Sequence, residues 1–257
     1  MKYTIVSKED EECKKISNRI KNMLDYDYDE ENPELVITVG GDGTTLNAIH
    51  QYSEQLDNIS FLAFNAGHLG FFSSFSTEEF DDFIKFVNEN KFTYDDLNLL
   101  EYNINTLSGE QVKGYALNEV TIVNPRRTLI LDVYVNDMHF EHYRGTGMCL
   151  STPTGSTGYN KSLHGAVIKP SIEVFQMTEI ASINSNLYHT LSSSLILGKG
   201  DVVELSSEWN KELWITADSK SLGFQDFRSL KISLSNKKVH LVNRSIPYLE
   251  RVKKNFI

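Results

Sequence analysis

The sequence predicts an α/β N-terminal domain built on a parallel sheet, followed by a β-rich, sandwich-like C-terminal domain. Three observations predict this. Up to about Lys91, apolar strand-like runs alternate with segments of helical period, the pattern of parallel strands wound in right-handed units. Two of those runs end in glycine-bearing turns, at Gly40-Gly41-Asp42-Gly43 and at Ala66-Gly67-His68-Leu69-Gly70. Beyond Lys91 the helical period gives way to short strand-like runs set off by turn residues. The expected division is residues 1–95 and 96–257, with the C-terminal tail free to return to the first domain.

Taken in order, Tyr3 to Ser7 reads as the first strand. Lys8 to about Leu24 reads as a helix with Ile16, Ile20 and Leu24 on one face. The acidic run Asp25 to Glu31, followed by Pro33, reads as a solvated loop. Leu35-Val36-Ile37-Thr38-Val39 is apolar and β-branched, a buried strand, and Thr44 is placed to cap a helix from Thr45 to about Ser53. Ile59 to Asn65 is a second buried strand, and Thr77-Glu78-Glu79 opens a helix whose inner face is Phe80, Phe83, Ile84 and Val87. In the second half, Leu129 to Val135 is a strand and Asn136-Asp137 a hairpin turn. Further strands are expected at Val202 to Leu205 and Glu212 to Ile215, with one helix near Ser171 to Ala181.

Composition narrows the function. At 257 residues, 40% hydrophobic and 23% charged, the chain has ordinary globular proportions, enough for one large domain or two small ones. A net charge of −10 disfavours nucleic acid and anionic membranes as partners. No apolar run approaches the ~20 residues that span a bilayer. The basic tail Arg251-Val252-Lys253-Lys254 reads as a solvated terminus. Cys13 and Cys149 are far apart and fit no metal or redox spacing, which points to a reduced, cytoplasmic protein. His139 and His142, three apart on an expected strand, should face opposite ways, and no His/Cys metal site is expected.

Three clusters carry chemistry. In the first, Asp42 stands at a strand end among residues without side chains, at the start of a helix. Glycine lets a ligand approach the backbone, and free N–H groups at the helix start favour phosphate. The turn lacks the third glycine of the dinucleotide fingerprint and the lysine of the P-loop, so phosphates must be handled differently. His68, in the second turn, has as much the look of a satisfied turn residue as of a ligand contact. The second cluster is Asn118-Glu119, an amide and a carboxylate side by side in an apolar strand and therefore on opposite faces. The third is the run Ser151 to Ser162, dense in hydroxyls and glycine with one aromatic, Tyr159. It suits phosphate, ribose and a stacked base, and the apolar residues flanking it predict a structured loop.

These clusters, in this order, resemble the NAD kinase family. The resemblance extends from about residue 35 to about residue 220, and the Ser151 to Tyr159 run is its most specific part. The Gly-Gly-Asp-Gly turn alone is shared with diacylglycerol and sphingosine kinases and with 6-phosphofructokinases. The resemblance implies a site between two domains and transfer of a phosphoryl group from ATP, with a divalent metal such as Mg²⁺, to the adenosine-ribose 2′-hydroxyl of NAD. It implies Asp42 as the catalytic carboxylate, with Gly43 beside the ligand. It implies Asn118 and Glu119 on the ribose or adenine, Arg144 and Thr146 toward a phosphate or the nicotinamide end, and Thr157, Gly158, Tyr159, Asn160, Lys161 and Ser162 lining the adenosine pocket. Ala181 and Ser219 fall where the family has further contacts. No protein metal ligand is implied, and a homo-oligomer, often a tetramer, is. Many members carry aspartate at the position of Thr146, alanine at Gly158 and a larger polar residue at Ser219. The competing readings are a lipid kinase with the same turn, against which the acidic balance argues, and a non-catalytic dinucleotide-binding module, which has little use for Asp42.

Overall fold

The computed structural model describes residues 1–67, 70–207, 213–224, 226–244 and 246–257. His68 and Glu212 lie outside the described residues. The chain divides into two compact units, Met1–Leu97 with Lys237–Ile257, and Asn98–Asn236. It passes from one to the other inside two long strands, β6 (Thr93–Thr106) and β17 (Phe227–Asn243).

The first unit runs β1 (Lys2–Ser7), α1 (Glu11–Met23), β2 (Asp27–Tyr28), β3 (Leu35–Gly40), α2 (Asp42–Gln51), β4 (Ser60–Asn65), β5 (Phe75–Ser76), α3 (Phe80–Glu89) and the start of β6 (Thr93–Thr106). Strands β2, β1, β3 and β4 lie side by side, all parallel, and β5 continues the order beyond β4. Every residue of β3 is buried, as a central parallel strand covered on both faces requires. The helices are held at their starts by side chains. Asp10 accepts the Cys13 N–H at 2.8 Å and caps α1, and Ser76 with Glu79 forms a capping box ahead of α3. Phe83 of α3 then packs edge-on against Phe64 and Phe75, with ring centres 4.9 and 5.3 Å apart.

The second unit comprises the rest of β6, β7 (Gln111–Ala116), β8 (Glu119–Val123), β9 (Leu129–Val135), β10 (Met138–Gly145), β11 (Gly147–Ser151), α4 (Tyr159–Ser162), β12 (Val174–Ile180), β13 (Leu195–Gly198), β14 (Val202–Ser206), β15 (Leu213–Ala217), β16 (Lys220–Phe224) and the first part of β17 (Phe227–Asn243). One antiparallel sheet has the order β13-β12-β11-β8-β15-β16. Facing it are β10, β9, β14 and β17, also antiparallel. Inward residues of both layers, among them Leu131, Val133, Tyr143, Leu150, Phe175, Leu205 and Ile215, form one core, the arrangement of a β-sandwich. β17 ends in the first unit, where it pairs in parallel with β4, and α5 (Tyr248–Phe256) follows it.

Four expectations are corrected. The helix expected near Ser171 to Ala181 is strand β12. Phe175 and Met177 face the core, while Gln176 and Thr178 are buried on the other face by hydrogen bonds to Ala166 and Asn160. Phe175, Gln176, Met177 and Thr178 alternate apolar and polar as a strand does, but both faces are buried. Helix α2 begins at Asp42 with Gly41 as its cap, not at Thr45 capped by Thr44. His139 and His142 do not face apart. An irregularity in β10 between His139 and Glu141 shifts the register, and both rings reach Asp132, at 3.2 and 2.8 Å. The basic tail is solvated only in part: it lies in α5, where Lys253 and Lys254 are exposed but Arg251 is 7% exposed.

Candidate active site

Asp42 is the first residue of α2, and the backbone turn before it explains why it points where it does. Gly40 has φ of +152°, and a Cβ there would stand 2.3 Å from Thr44 Oγ1, so this glycine is required by the fold. Gly41 and Gly43 differ. Both are exposed, and a Cβ on either would meet nothing within 4 Å. Packing inside the unit gives no reason for those two glycines, and the space beside them is open. The Thr38 and Thr45 hydroxyls, buried and 2.9 Å apart, tie the strand to the helix beneath the turn.

The Asp42 carboxylate is half-buried and accepts two backbone N–H groups from the turn after β4, Phe71 at 2.8 Å and Phe72 at 3.2 Å. Gly70 is what allows that approach, because a Cβ there would lie 2.2 Å from Asp42 Oδ1. Behind the turn, the Arg251 guanidinium donates through Nη1 to the Phe71 carbonyl. Burial pulls Arg251 below its ordinary range, against which Asp95 and Asp42 act. Also in the first unit, a cavity of about 790 Å³ is lined by Gly67, Ser74, Thr77, Glu79, Arg244 and Lys254, among others.

In the second unit, Asn118 and Glu119 sit against the hydroxyl-rich loop. Thr152 donates to the Leu117 carbonyl through its hydroxyl and to the Asn118 carbonyl through its N–H. A Cβ on Gly155 would fall 2.1 Å from the Asn118 carbonyl oxygen, so loop and strand meet backbone to backbone. Gly158 faces both side chains, 3.2 Å from its Cβ position to Glu119 Oε2 and 4.0 Å to Asn118 Nδ2. The two neighbours therefore do not point to opposite faces: Asn118 precedes β8 in a bend, outside the strand's alternation. Burial first, and then the Asp218 carboxylate, push the Glu119 carboxyl up to about 7, while a Tyr159 backbone hydrogen bond opposes them. Glu119 Oε2 is buried without a hydrogen-bond partner. Tyr159 is 44% exposed, its ring available for stacking. Thr157 donates back to the Thr154 carbonyl at 3.2 Å, and Lys161 and Ser162 are exposed. Asn160 is engaged in the fold: fully buried, it accepts the Thr178 hydroxyl at 2.8 Å. Ser219 is exposed on the β15–β16 turn, beside Asp218.

Arg144, Thr146 and Ala181 form a separate group at the other end of β11. Thr146 donates its N–H to Ile180 at 2.9 Å, and Ile183 donates to the Arg144 carbonyl at 2.8 Å. The Arg144 guanidinium carbon lies 3.7 Å from the centre of the Tyr188 ring, and its Nε is buried without an acceptor. Within the second unit, the structure thus brings Asn118, Glu119, Gly158, Tyr159 and Ser219 together and leaves the Arg144 group apart from them.

Sequence reasoning missed two polar residues. Arg251 was concealed in a run of basic residues, although Pro247 followed by apolar spacing marks a helix start. Asp218 accepts the N–H groups of Leu117, Asn118 and Glu119 at 2.9, 2.7 and 3.2 Å and so fixes the backbone that carries the amide and the carboxylate. Its signal was an Asp-Ser pair between two strand-like runs. Among the described residues, no group of three or more His, Cys, Asp or Glu side chains is placed to hold a metal ion.

A carboxylate at a helix start between open glycines, and a half-buried amide–carboxylate pair against a hydroxyl-rich loop, define a nucleotide-binding protein with phosphate-handling chemistry. Residues 3–92 match the model of the ATP-NAD kinase N-terminal domain, and residues 117–244 that of the ATP-NAD kinase C-terminal domain. The chain is 42% identical to NAD kinase 1 of Listeria innocua over 262 residues, covering 100% of this chain and 99% of the relative. It is 40% identical to the NAD kinase of Staphylococcus aureus over 266 residues, covering 100% and 98%. Among solved structures, yeast NADH kinase complexed with NADH aligns with a TM-score of 0.84 at 18% identity, covering 100% of this chain and 87% of that one. An NAD kinase from Archaeoglobus fulgidus in complex with ATP aligns at 0.76 and 20% identity, covering 100% and 97%; these two show the fold. The chain belongs to the NAD kinase family.

Proposed function

We propose that the chain phosphorylates NAD at the 2′-hydroxyl of its adenosine ribose, with ATP as donor, giving NADP and ADP. The observation that carries the reading is the exposed Gly41-Asp42-Gly43 turn at the start of α2, in a chain 42% identical along its whole length to a relative named NAD kinase 1. The ribose oxygen attacks the γ-phosphorus, the bond to the β,γ-bridging oxygen breaks, and ADP leaves. Asp42 orients the hydroxyl and takes its proton as the new bond forms. Its two backbone hydrogen bonds leave carboxylate lone pairs free for this. General-base help of this kind contributes about 10²–10⁴ in rate, and alignment and charge neutralisation supply the rest.

A divalent metal, Mg²⁺ by preference, fits the donor set. Such an ion keeps several waters and is held by one or two carboxylates with the substrate's phosphates, and Asp42 is a single half-buried carboxylate of that kind. When bound, the metal neutralises triphosphate charge. Asn118 and Glu119 hold the ribose hydroxyls or adenine edge, with Gly158 at their side. Thr157, Lys161 and Ser162 line the same pocket, and the Tyr159 ring stacks on the base. Asn160 secures that wall through Thr178. Arg144, with Thr146 and Ala181 near it, serves a phosphate or the nicotinamide end, and Ser219 completes the rim beside Asp218. The working form in this reading is a cytoplasmic homo-oligomer, a tetramer. The test is Asp42→Asn. The variant should bind NAD by calorimetry as the parent does and lose most turnover; unchanged turnover removes the assignment.

A further inference from the structure

The last helix of the chain is coupled to the carboxylate at the head of α2 through a single peptide group. Arg251 of α5 is 7% exposed and donates through Nη1 to the Phe71 carbonyl oxygen. The N–H in that same peptide unit, on Phe72, donates to Asp42 Oδ1 at 3.2 Å, and the Phe71 N–H donates to Oδ2 at 2.8 Å. A peptide is a rigid, conjugated plane, so a cation on its oxygen polarises the N–H at the other end. Hydrogen bonds arranged head to tail strengthen one another. Guanidinium, peptide and carboxylate form such a series. Phe256, near the end of α5, packs its ring on Phe71 with centres 5.5 Å apart, which gives the helix a second hold on the same turn. Burying a guanidinium is costly, and Arg251 Nη2 has no acceptor, so the folded chain retains this cation at some expense.

We infer that Arg251 is a positioning residue for phosphoryl transfer: through the Phe71–Phe72 peptide it fixes the orientation of the Asp42 carboxylate. This rests on the reading of Asp42 given above. Arg251 is buried and donates to a main-chain carbonyl, so its removal acts on turnover and spares substrate binding.

The test compares Asp42→Asn, Arg251→Ala and the double variant with the parent chain, each measured for thermal unfolding, NAD affinity by calorimetry, and kcat. For Arg251→Ala we expect kcat to fall about 10- to 100-fold, the scale of one charge-assisted hydrogen bond, with NAD affinity unchanged. Free guanidinium at sub-denaturing concentration should restore part of that loss, because the vacated space accepts the same cation. In the double variant, kcat should be no lower than in Asp42→Asn. Parental kcat in Arg251→Ala, with Asp42→Asn inactive, overturns the inference and leaves the reading of Asp42 standing. Parallel loss of unfolding temperature, NAD affinity and kcat without rescue also overturns it, by making Arg251 a residue of the fold alone. An active Asp42→Asn overturns both.

Discussion

Asp42 and Glu119 carry the same functional group in opposite surroundings. Asp42 is held by two backbone N–H groups on a half-exposed turn. Glu119 is half-buried near the Asp218 carboxylate, with one oxygen buried and unpartnered, and is pushed up to about 7. That shift makes folding depend on pH. The folded-state value lies above the ordinary 4.5, so the stability linked to Glu119 is fully present below 4.5 and is lost as pH rises through about 7. Glu119→Gln removes the titration. Its unfolding temperature should gain on the parent's between those limits and exceed it at pH 8; parallel curves at all pH values would contradict the assignment. At Arg144, the Tyr188 ring covers one face of the guanidinium. Cation–π pairs at partly exposed sites contribute about 0.5–1 kcal/mol, so Tyr188→Leu should weaken NAD binding about two- to fivefold while Tyr188→Phe preserves it. Equal affinity in both variants would separate Tyr188 from the site. Asn118 and Glu119 were legible as a polar pair, but not as convergent, because the bend that turns Asn118 out of strand alternation is fixed by Asp218, about a hundred residues on.

At the level of the element, the β3–α2 turn contains glycines of two kinds. Gly40 is needed by the backbone, and Gly40→Ala should destabilise the fold by about 1–3 kcal/mol, read as a lowered unfolding temperature. Gly43 lies within α2 with open space around it, and alanine favours helix by up to about 1 kcal/mol. Gly43→Ala should therefore unfold no earlier than the parent while losing NAD or ATP affinity, since the new methyl enters ligand space. An unfolding temperature that drops as far as that of Gly40→Ala would contradict the distinction. The parallel strands and helices of the first unit were legible from the alternation of strand-like and helical runs; the caps were not, since Gly41 and not Thr44 precedes α2. Strand β12 was not read, although Phe175, Gln176, Met177 and Thr178 alternate as a strand does; what the alternation does not show is that Gln176 and Thr178 are buried, satisfied by hydrogen bonds. The shared side of His139 and His142 was hidden for a related reason, since one irregularity in β10 reverses the face and leaves no mark in composition.

For the whole molecule, the glycine and hydroxyl clusters were readable because each is local, a few residues whose spacing is itself the signal. The route of the chain was less so: the pattern changes near Lys91, but the last residues return to the first unit through β17, a pairing that depends on β4 rather than on any nearby residue. A net charge of −10, with no helix long and apolar enough to cross a membrane among the described residues, gives an expectation for partners. The chain should not co-sediment with anionic vesicles, and binding at physiological salt would revive the lipid-kinase alternative. The proposed reaction makes one bond, between a phosphoryl group and the ribose 2′-oxygen. Purified chain incubated with NAD, ATP and Mg²⁺ should release ADP and NADP in equal amounts, with the new phosphate on the 2′-position by ³¹P NMR. ADP release without NADP, or NADP formation undiminished by Asp42→Asn, contradicts the account.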